Sequence, residues 1–148
     1  MKTISTGKAF NELDSKELGK WGERVATNYI EKMGLTVVDT NYRTRLGEID
    51  IIAKRDLVYH FIEIKARRGM QHGLAREAVT KKKQKHIKRA AMLFLYDLNQ
   101  KKRRWKEISF DVGVFTRRLS KFYSLFTTVL LVRSVYVRKI KWSHLTRH

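Results

Sequence analysis

A chain of 148 residues, 43% of them hydrophobic, has the size of one domain and enough apolar side chains to bury a core. Its 33 Lys and Arg against 14 Asp and Glu leave a formal net charge of +19, beyond what solubility needs, which points to a polyanionic partner, nucleic acid ahead of an anionic membrane surface. With no cysteine, disulfides and thiolate metal sites are excluded, carboxylates and histidines are left as metal ligands, and a reducing, cytoplasmic setting is expected.

Residues 1–13 read as a flexible leader, and the first seven have no apolar run of signal-peptide type. Asp14 with Glu17 is a helix start of capping-box type, and Leu18, Trp21, Val25, Tyr29 and Met33 recur at helical spacing up to Gly34, a good stop. Gly19 and Gly22 cost this helix roughly 1 kcal/mol each relative to Ala, which implies close approach to another backbone or a ligand. Residues 35–39 form a strand, and Arg43-Thr44-Arg45 turns into a second one at Gly47-Glu48-Ile49-Asp50-Ile51-Ile52-Ala53. Arg55-Asp56 then connects it to a third, Phe61-Ile62-Glu63-Ile64-Lys65, as an antiparallel hairpin. Residues 66–73 are a basic, glycine-bearing loop. A second helix over about 75–98 buries Ile87, Ala91, Phe94 and Leu98, with Gln84 near its inward face. After the polar break Lys101-Lys102-Arg103-Arg104, alternation through Ile108, Phe110, Val112 and Val114 gives a fourth strand, parallel to its neighbour through the crossover helix.

Charged residues inside apolar strands need a reason. Alternation puts Glu48 and Asp50 on one side of their strand and Glu63 and Lys65 on one side of theirs. If Ile49, Ile51, Ile62 and Ile64 face the core, Asp50, Glu63 and Lys65 converge on the opposite face. Two carboxylates and an ammonium on adjacent strands suit metal-dependent phosphodiester hydrolysis: Mg²⁺ takes one or two protein carboxylates together with waters and phosphate oxygens, and the lysine orients the attacking water. The plainer reading of the same residues is an exposed hairpin with a solvated ion pair. Glu23, outside the apolar stripe of its helix, reads by itself as a solvated residue. On the second helix Lys81, Lys85, Lys88 and Arg89 repel one another at three- and four-residue spacing, a repulsion that a phosphate backbone would relieve.

Gly19-Lys20-Trp21-Gly22-Glu23, Asn41-Tyr42-Arg43 before Gly47-Glu48-Ile49-Asp50, Phe61-Ile62-Glu63-Ile64-Lys65-Ala66-Arg67, Ala78-Val79 before Lys83-Gln84, and Phe110-Asp111-Val112 stand in the order found in the YraN-like family. The chain resembles that family over roughly residues 16–115, and the family is similar to archaeal Holliday junction resolvases of the restriction-endonuclease-like, PD-(D/E)XK superfamily. The resemblance implies an α/β fold with a mixed central sheet flanked by helices, in the order αβββαβ, over a nuclease-like domain at 14–115. It implies motif positions for Asp50, Glu63 and Lys65, and a place for Glu23 in the metal site. Two features depart from the family. His60 stands in a usually apolar run, pointing away from Glu63. The chain also runs on through 116–148, an extension packed on the same domain in which residues 129–137 read as a strand and residues 122–132 are too short an apolar stretch to span a membrane.

These readings lead to an endonuclease acting on DNA, ahead of RNA, with branched or flapped DNA in repair or recombination following by analogy. Mg²⁺ or Mn²⁺ is expected on Asp50 and Glu63, with Glu23 a third ligand and Lys65 positioning water. Arg43, Arg45, Arg67, Arg68, Lys81, Lys82, Lys83, Lys85, Lys88 and Arg89 are expected to hold phosphates, giving affinity with little sequence information. The alternative is a non-catalytic nucleic-acid-binding protein that keeps a nuclease scaffold. A membrane-surface protein using residues 122–132 is a weaker third, and a sheet edge is a candidate homodimer interface.

Overall fold

The computed structural model describes residues 10–68, 79–117, 127–130 and 140–141, of which residues 67, 114–117, 127–130 and 140–141 are described by backbone alone. Helix α1 (Ser15–Lys32) starts at the expected capping box: the Glu17 N–H donates to Asp14 Oδ1 and the Asp14 N–H to Glu17 Oε2, each at 2.8 Å. It stops at Gly34, whose φ of +80° suits a residue without Cβ. The apolar stripe differs from the expected one. Small residues, Gly22 and Ala26, lie buried with Leu18, Trp21 and Ile30, while Met33 is exposed, because α1 sits too close to the sheet for large side chains along its whole contact. Two residues expected in the leader belong to the core. Phe10 and Leu13 are buried, Phe10 in a 3-10 turn (Phe10–Glu12) with its ring edge-on to Trp21 at 4.8 Å, since these apolar side chains cover the open end of the α1 core.

The sheet runs β1 (Thr36–Thr44), β2 (Gly47–Arg55), β3 (Val58–Arg67) and β4 (Glu107–Arg117), with the short β5 (Thr127–Leu130) and β6 (Ile140–Lys141) both pairing antiparallel with β4. The pairs β1–β2 and β2–β3 are antiparallel, and β3–β4 is parallel, as the crossover through α2 (Lys81–Gln100) requires. Asp56 turns the β2–β3 hairpin at φ +54°. Helix α2 begins later than expected, behind the non-helical Val79 and the N-cap Thr80, whose side chain accepts from the Lys83 N–H. Of the loop expected at 66–73, Ala66 and Arg67 belong instead to β3, and residues 69–73 lie outside the described residues. Of the strand expected at 129–137 only 129 and 130 are described, both in β5. No helix among the described residues is long and apolar enough to cross a membrane.

Both faces of the sheet are buried. Leu18, Trp21, Ala26 and Ile30 of α1 pack on Ile51, Ala53, Ile62 and Ile64. On the other face Ile87, Ala91, Leu95 and Leu98 of α2 pack on Ile52, Tyr59, Phe61 and Ile108. At about 1.5–3 kcal/mol for each fully buried large aliphatic or aromatic side chain, these two layers supply the main drive to fold. The face opposite Ile62 and Ile64 is therefore a second core, so the charged residues on it lie at the edge of a helix-covered layer.

Candidate active site

The site forms where two paired strands part. Strands β2 and β3 are paired from Arg55↔Val58 up to Ile51↔Ile62 and no further, although β2 stays paired with β1 to Gly47 and β3 with β4 to Arg67. Asp50 lies in the resulting fork, and its Oδ2 accepts the Ile64 backbone N–H at 2.7 Å. Inward–outward alternation breaks at the same level: Ile49 packs with Ile52 in the α2 layer while Ile51 faces α1, a correction to the expected grouping of Ile49 with Ile51. The facing residue of β1 is Asn41, at φ +56°.

Glu63 shares the α2 side of β3 with Phe61 and is only 2% exposed. Its Oε1 accepts from Lys65 Nζ at 2.7 Å, and its Oε2 lies 3.3 Å from Lys83 Nζ without hydrogen-bond geometry, leaving that buried oxygen with no hydrogen bond among the described residues. Lys83 also donates to Glu48 Oε1 at 3.0 Å. Glu23 projects from α1 and accepts from Asn41 Nδ2 at 3.0 Å.

Burial and the neighbouring Glu63 carboxylate push the Asp50 carboxyl up to about 6, with Glu23 adding to the rise and the Ile64 N–H and Lys83 opposing it. Burial by itself would lower the Lys83 ammonium. The Glu48 hydrogen bond and the charges of Glu63, Asp50 and Glu48 outweigh burial and hold it above its usual value. Glu48 is lowered in turn, chiefly by its hydrogen bond to Lys83.

Two glycines let the helices bring these residues in. A Cβ on Gly22 would stand 2.7 Å from the Ala66 Cβ, so the α1 backbone that carries Glu23 can lie against β3 only without one. At Gly47, with φ +157°, a Cβ would stand 2.5 Å from the His86 carbonyl oxygen, which explains how the first turns of α2 reach β2. A Cβ on Gly19 would meet nothing within 4 Å among the described residues, so of the two helix glycines the close packing inferred from sequence holds for Gly22.

Of the residues expected to bind phosphate, Arg43, Arg45, Lys83 and Arg89 line an open cavity of about 430 Å³ beside the carboxylates, with His86 and Glu48. Lys81, Lys82 and Lys85 are exposed on α2, Lys88 is half-buried there, and Arg68 is exposed at the end of β3. The Arg67 side chain lies outside the described residues. Gln84 is turned to a structural task, donating to the Val79 carbonyl at 3.0 Å. His60, as expected, faces away from Glu63: its Nδ1 meets Asp111 Oδ2 at 2.9 Å, while Ser109 Oγ donates to Asp111 Oδ1.

The part of Lys83 in the carboxylate cluster has one signal in the sequence. A lysine in the first turn of a helix opposes the positive end of the helix dipole, and α2 has no acid there to balance it, so the compensating anion must come from elsewhere in the fold. Among the described residues no three His, Cys, Asp or Glu side chains stand close enough to hold a metal ion together. Asp50 and Glu63 instead form a two-carboxylate set of the kind a hydrated Mg²⁺ takes, and the orphaned Glu63 Oε2 fits a ligand position.

An αβββαβ mixed sheet with Asp and Glu-x-Lys at a strand fork defines a protein of restriction-endonuclease-like, PD-(D/E)XK type. The family model described as "Uncharacterised protein family UPF0102" matches residues 22–114, and the chain belongs to that family, also called the YraN family. It is 45% identical over 91 residues to a UPF0102 protein of Caldicellulosiruptor bescii, covering 61% of this chain and 76% of that one. It is 41% identical over 98 residues to one of Syntrophomonas wolfei, covering 66% and 83%. It is 39% identical over 100 residues to one of Dictyoglomus thermophilum, covering 68% and 82%.

Proposed function

We propose that this protein is a metal-dependent endonuclease acting on DNA, with branched or flapped DNA as the substrate class. The observation that carries the reading is the meeting of Asp50 and Glu63 at the β2–β3 fork, with Lys65 on one Glu63 oxygen and no hydrogen bond on the other. Asp50 and Glu63 would hold Mg²⁺ or Mn²⁺, while Glu23, which accepts from Asn41, does not stand close enough to complete the expected three-carboxylate set. When bound, such an ion supplies charge stabilisation to the phosphate and acidifies a coordinated water. Lys65 orients the attacking water from its place on Glu63, and Lys83 faces the incoming phosphate from the wall shared with the basic cavity. Arg43, Arg45 and Arg89 hold flanking phosphates, which gives affinity without base readout.

The test is cleavage of linear, flapped, four-way and single-stranded substrates with and without Mn²⁺, by the wild type and by Glu63→Gln. Metal-dependent cutting lost in the variant, with binding kept, is expected. Wild-type binding without cutting of any substrate would leave the nuclease scaffold as a non-catalytic binding module. Cutting by Glu63→Gln at the wild-type rate would remove Glu63 from the site.

A further inference from the structure

The far end of α2 carries a second cationic cluster that the carboxylate site does not use. Lys101-Lys102-Arg103-Arg104-Trp105-Lys106 puts five cations into six residues with no acid, and all five are exposed. The turn is held in shape. Lys102 sits at φ +53°, the Lys102 and Arg103 N–H groups donate to the Asn99 and Leu98 carbonyls at 2.9 Å, and the Lys106 N–H donates to the Leu57 carbonyl at 2.8 Å. Trp105 Nε1 donates to Asn99 Oδ1 at 3.1 Å, which fixes the ring beside Leu57, itself 44% exposed, over an open cavity of about 630 Å³.

One or two cations would suffice to complement the carbonyl end of the helix, at about 0.3–1 kcal/mol each. Five close together repel, a repulsion that a polyanion would relieve. The surface between the two clusters has the same character. Lys82, Lys85, Arg89, Met92, Tyr96 and Asn99 follow at three- and four-residue spacing, so they form one exposed stripe along α2. The sole acid of α2, Asp97, acts on the Tyr42 hydroxyl of β1, to the side of that stripe. From Lys83 to Asn99 the helix rises about 24 Å at 1.5 Å per residue, a length of about seven base pairs at 3.4 Å each.

We infer that the outer face of α2 and the 101–106 turn form one track for a duplex arm, gripping it about seven base pairs from the point where Asp50 and Glu63 act. The inference rests on the nucleic-acid reading above and adds to it the direction of the arm and a minimum length. The phosphate backbone lies along the lysines and arginines, and the apolar middle of the stripe at Met92 and Tyr96 passes beneath a groove.

The test uses the full chain in EDTA, with equilibrium binding to hairpin-closed duplexes of about 6 to about 20 base pairs at several salt concentrations. The triple variant Arg103→Gln/Arg104→Gln/Lys106→Gln changes exposed side chains only, and an unchanged melting temperature verifies its fold. On long duplexes it should bind about tenfold or more weakly, with a salt slope smaller by about 2–3, near 0.9 per lost phosphate contact. On the shortest duplexes it should match the wild type, whereas Arg45→Gln/Arg89→Gln should weaken binding at every length. A triple variant equal to the wild type at all lengths, or equally impaired at all lengths, overturns the track. So does a loss seen only on vesicles of anionic lipid, which would assign the turn to a membrane surface. A wild type that binds no duplex at all overturns the nucleic-acid reading along with it.

Discussion

The Ile64 backbone N–H donates to Asp50 Oδ2 at 2.7 Å, so a carboxylate of one strand occupies the place where the next strand's ladder would have continued. This contact fixes Asp50 beside Glu63 and satisfies a backbone donor that the parting of the strands would otherwise orphan. It also puts a carboxylate where burial and a like charge both act against its ionisation.

That opposition makes Asp50 a stability liability. Its folded value of about 6 lies above the unfolded 3.8, so the folded chain binds the proton more tightly across that window. The stabilisation is present in full below about pH 4 and is lost as pH rises through 6, a change of about 1–3 kcal/mol. Asp50→Asn, whose amide oxygen can still accept the Ile64 N–H, should melt higher than the wild type above about pH 7. The gain should vanish below about pH 4, as followed by thermal unfolding. A variant no more stable than the wild type at high pH would contradict the assignment.

The same group sets the pH dependence of metal uptake. A ligand carboxylate must be ionised, so Mn²⁺ affinity, read by calorimetry, should fall about tenfold per pH unit below about 6 and level off above it. Asp50→Asn should lose both the affinity and its slope.

Lys83 balances Glu63 and Glu48, at 3.3 and 3.0 Å. Without a divalent cation, replacing it with Gln should destabilise the protein by about 1–3 kcal/mol, since Glu63 is buried and among the described residues keeps Lys65 as its one charge partner. A divalent cation then meets less competition, so Mn²⁺ should raise the melting temperature of Lys83→Gln by more than that of the wild type. Equal shifts would mean that the ammonium and the ion do not contend for the same carboxylate.

The two glycines of α1 should respond in opposite directions. Gly19→Ala meets nothing and should stabilise the protein by about 0.5–1 kcal/mol. Gly22→Ala meets the Ala66 Cβ and should cost about 1–3 kcal/mol, with Ala66→Gly restoring much of the loss in the double variant. Denaturant unfolding of the four proteins checks this.

Much of the fold was legible because its signals are local. The Asp14–Glu17 capping box and the Gly34 stop bounded α1, and the two strands bearing Asp50 and Glu63 alternate closely enough to be read as a hairpin. The start of α2 is not legible in the sequence, because the residues just ahead of Thr80 carry no strong breaker and the cap is a single threonine. The burial of Phe10 and Leu13 is not legible either, because two apolar residues make no periodic pattern and only the uncovered edge of Trp21 gives them a destination.

From its residues alone, this chain determined which side chains could do acid and lysine chemistry and which strands carry them, since side-chain type and two-residue alternation are properties of the chain itself. Only the tertiary structure decided that β2 and β3 part at Ile51, that Glu63 is sealed under α2, and that Lys83 arrives as its counter-ion. Those outcomes depend on how closely two helices settle on opposite faces of one sheet. That closeness is set by contacts between residues far apart in sequence, such as Gly22 with Ala66 and Gly47 with His86, and no local pattern encodes them.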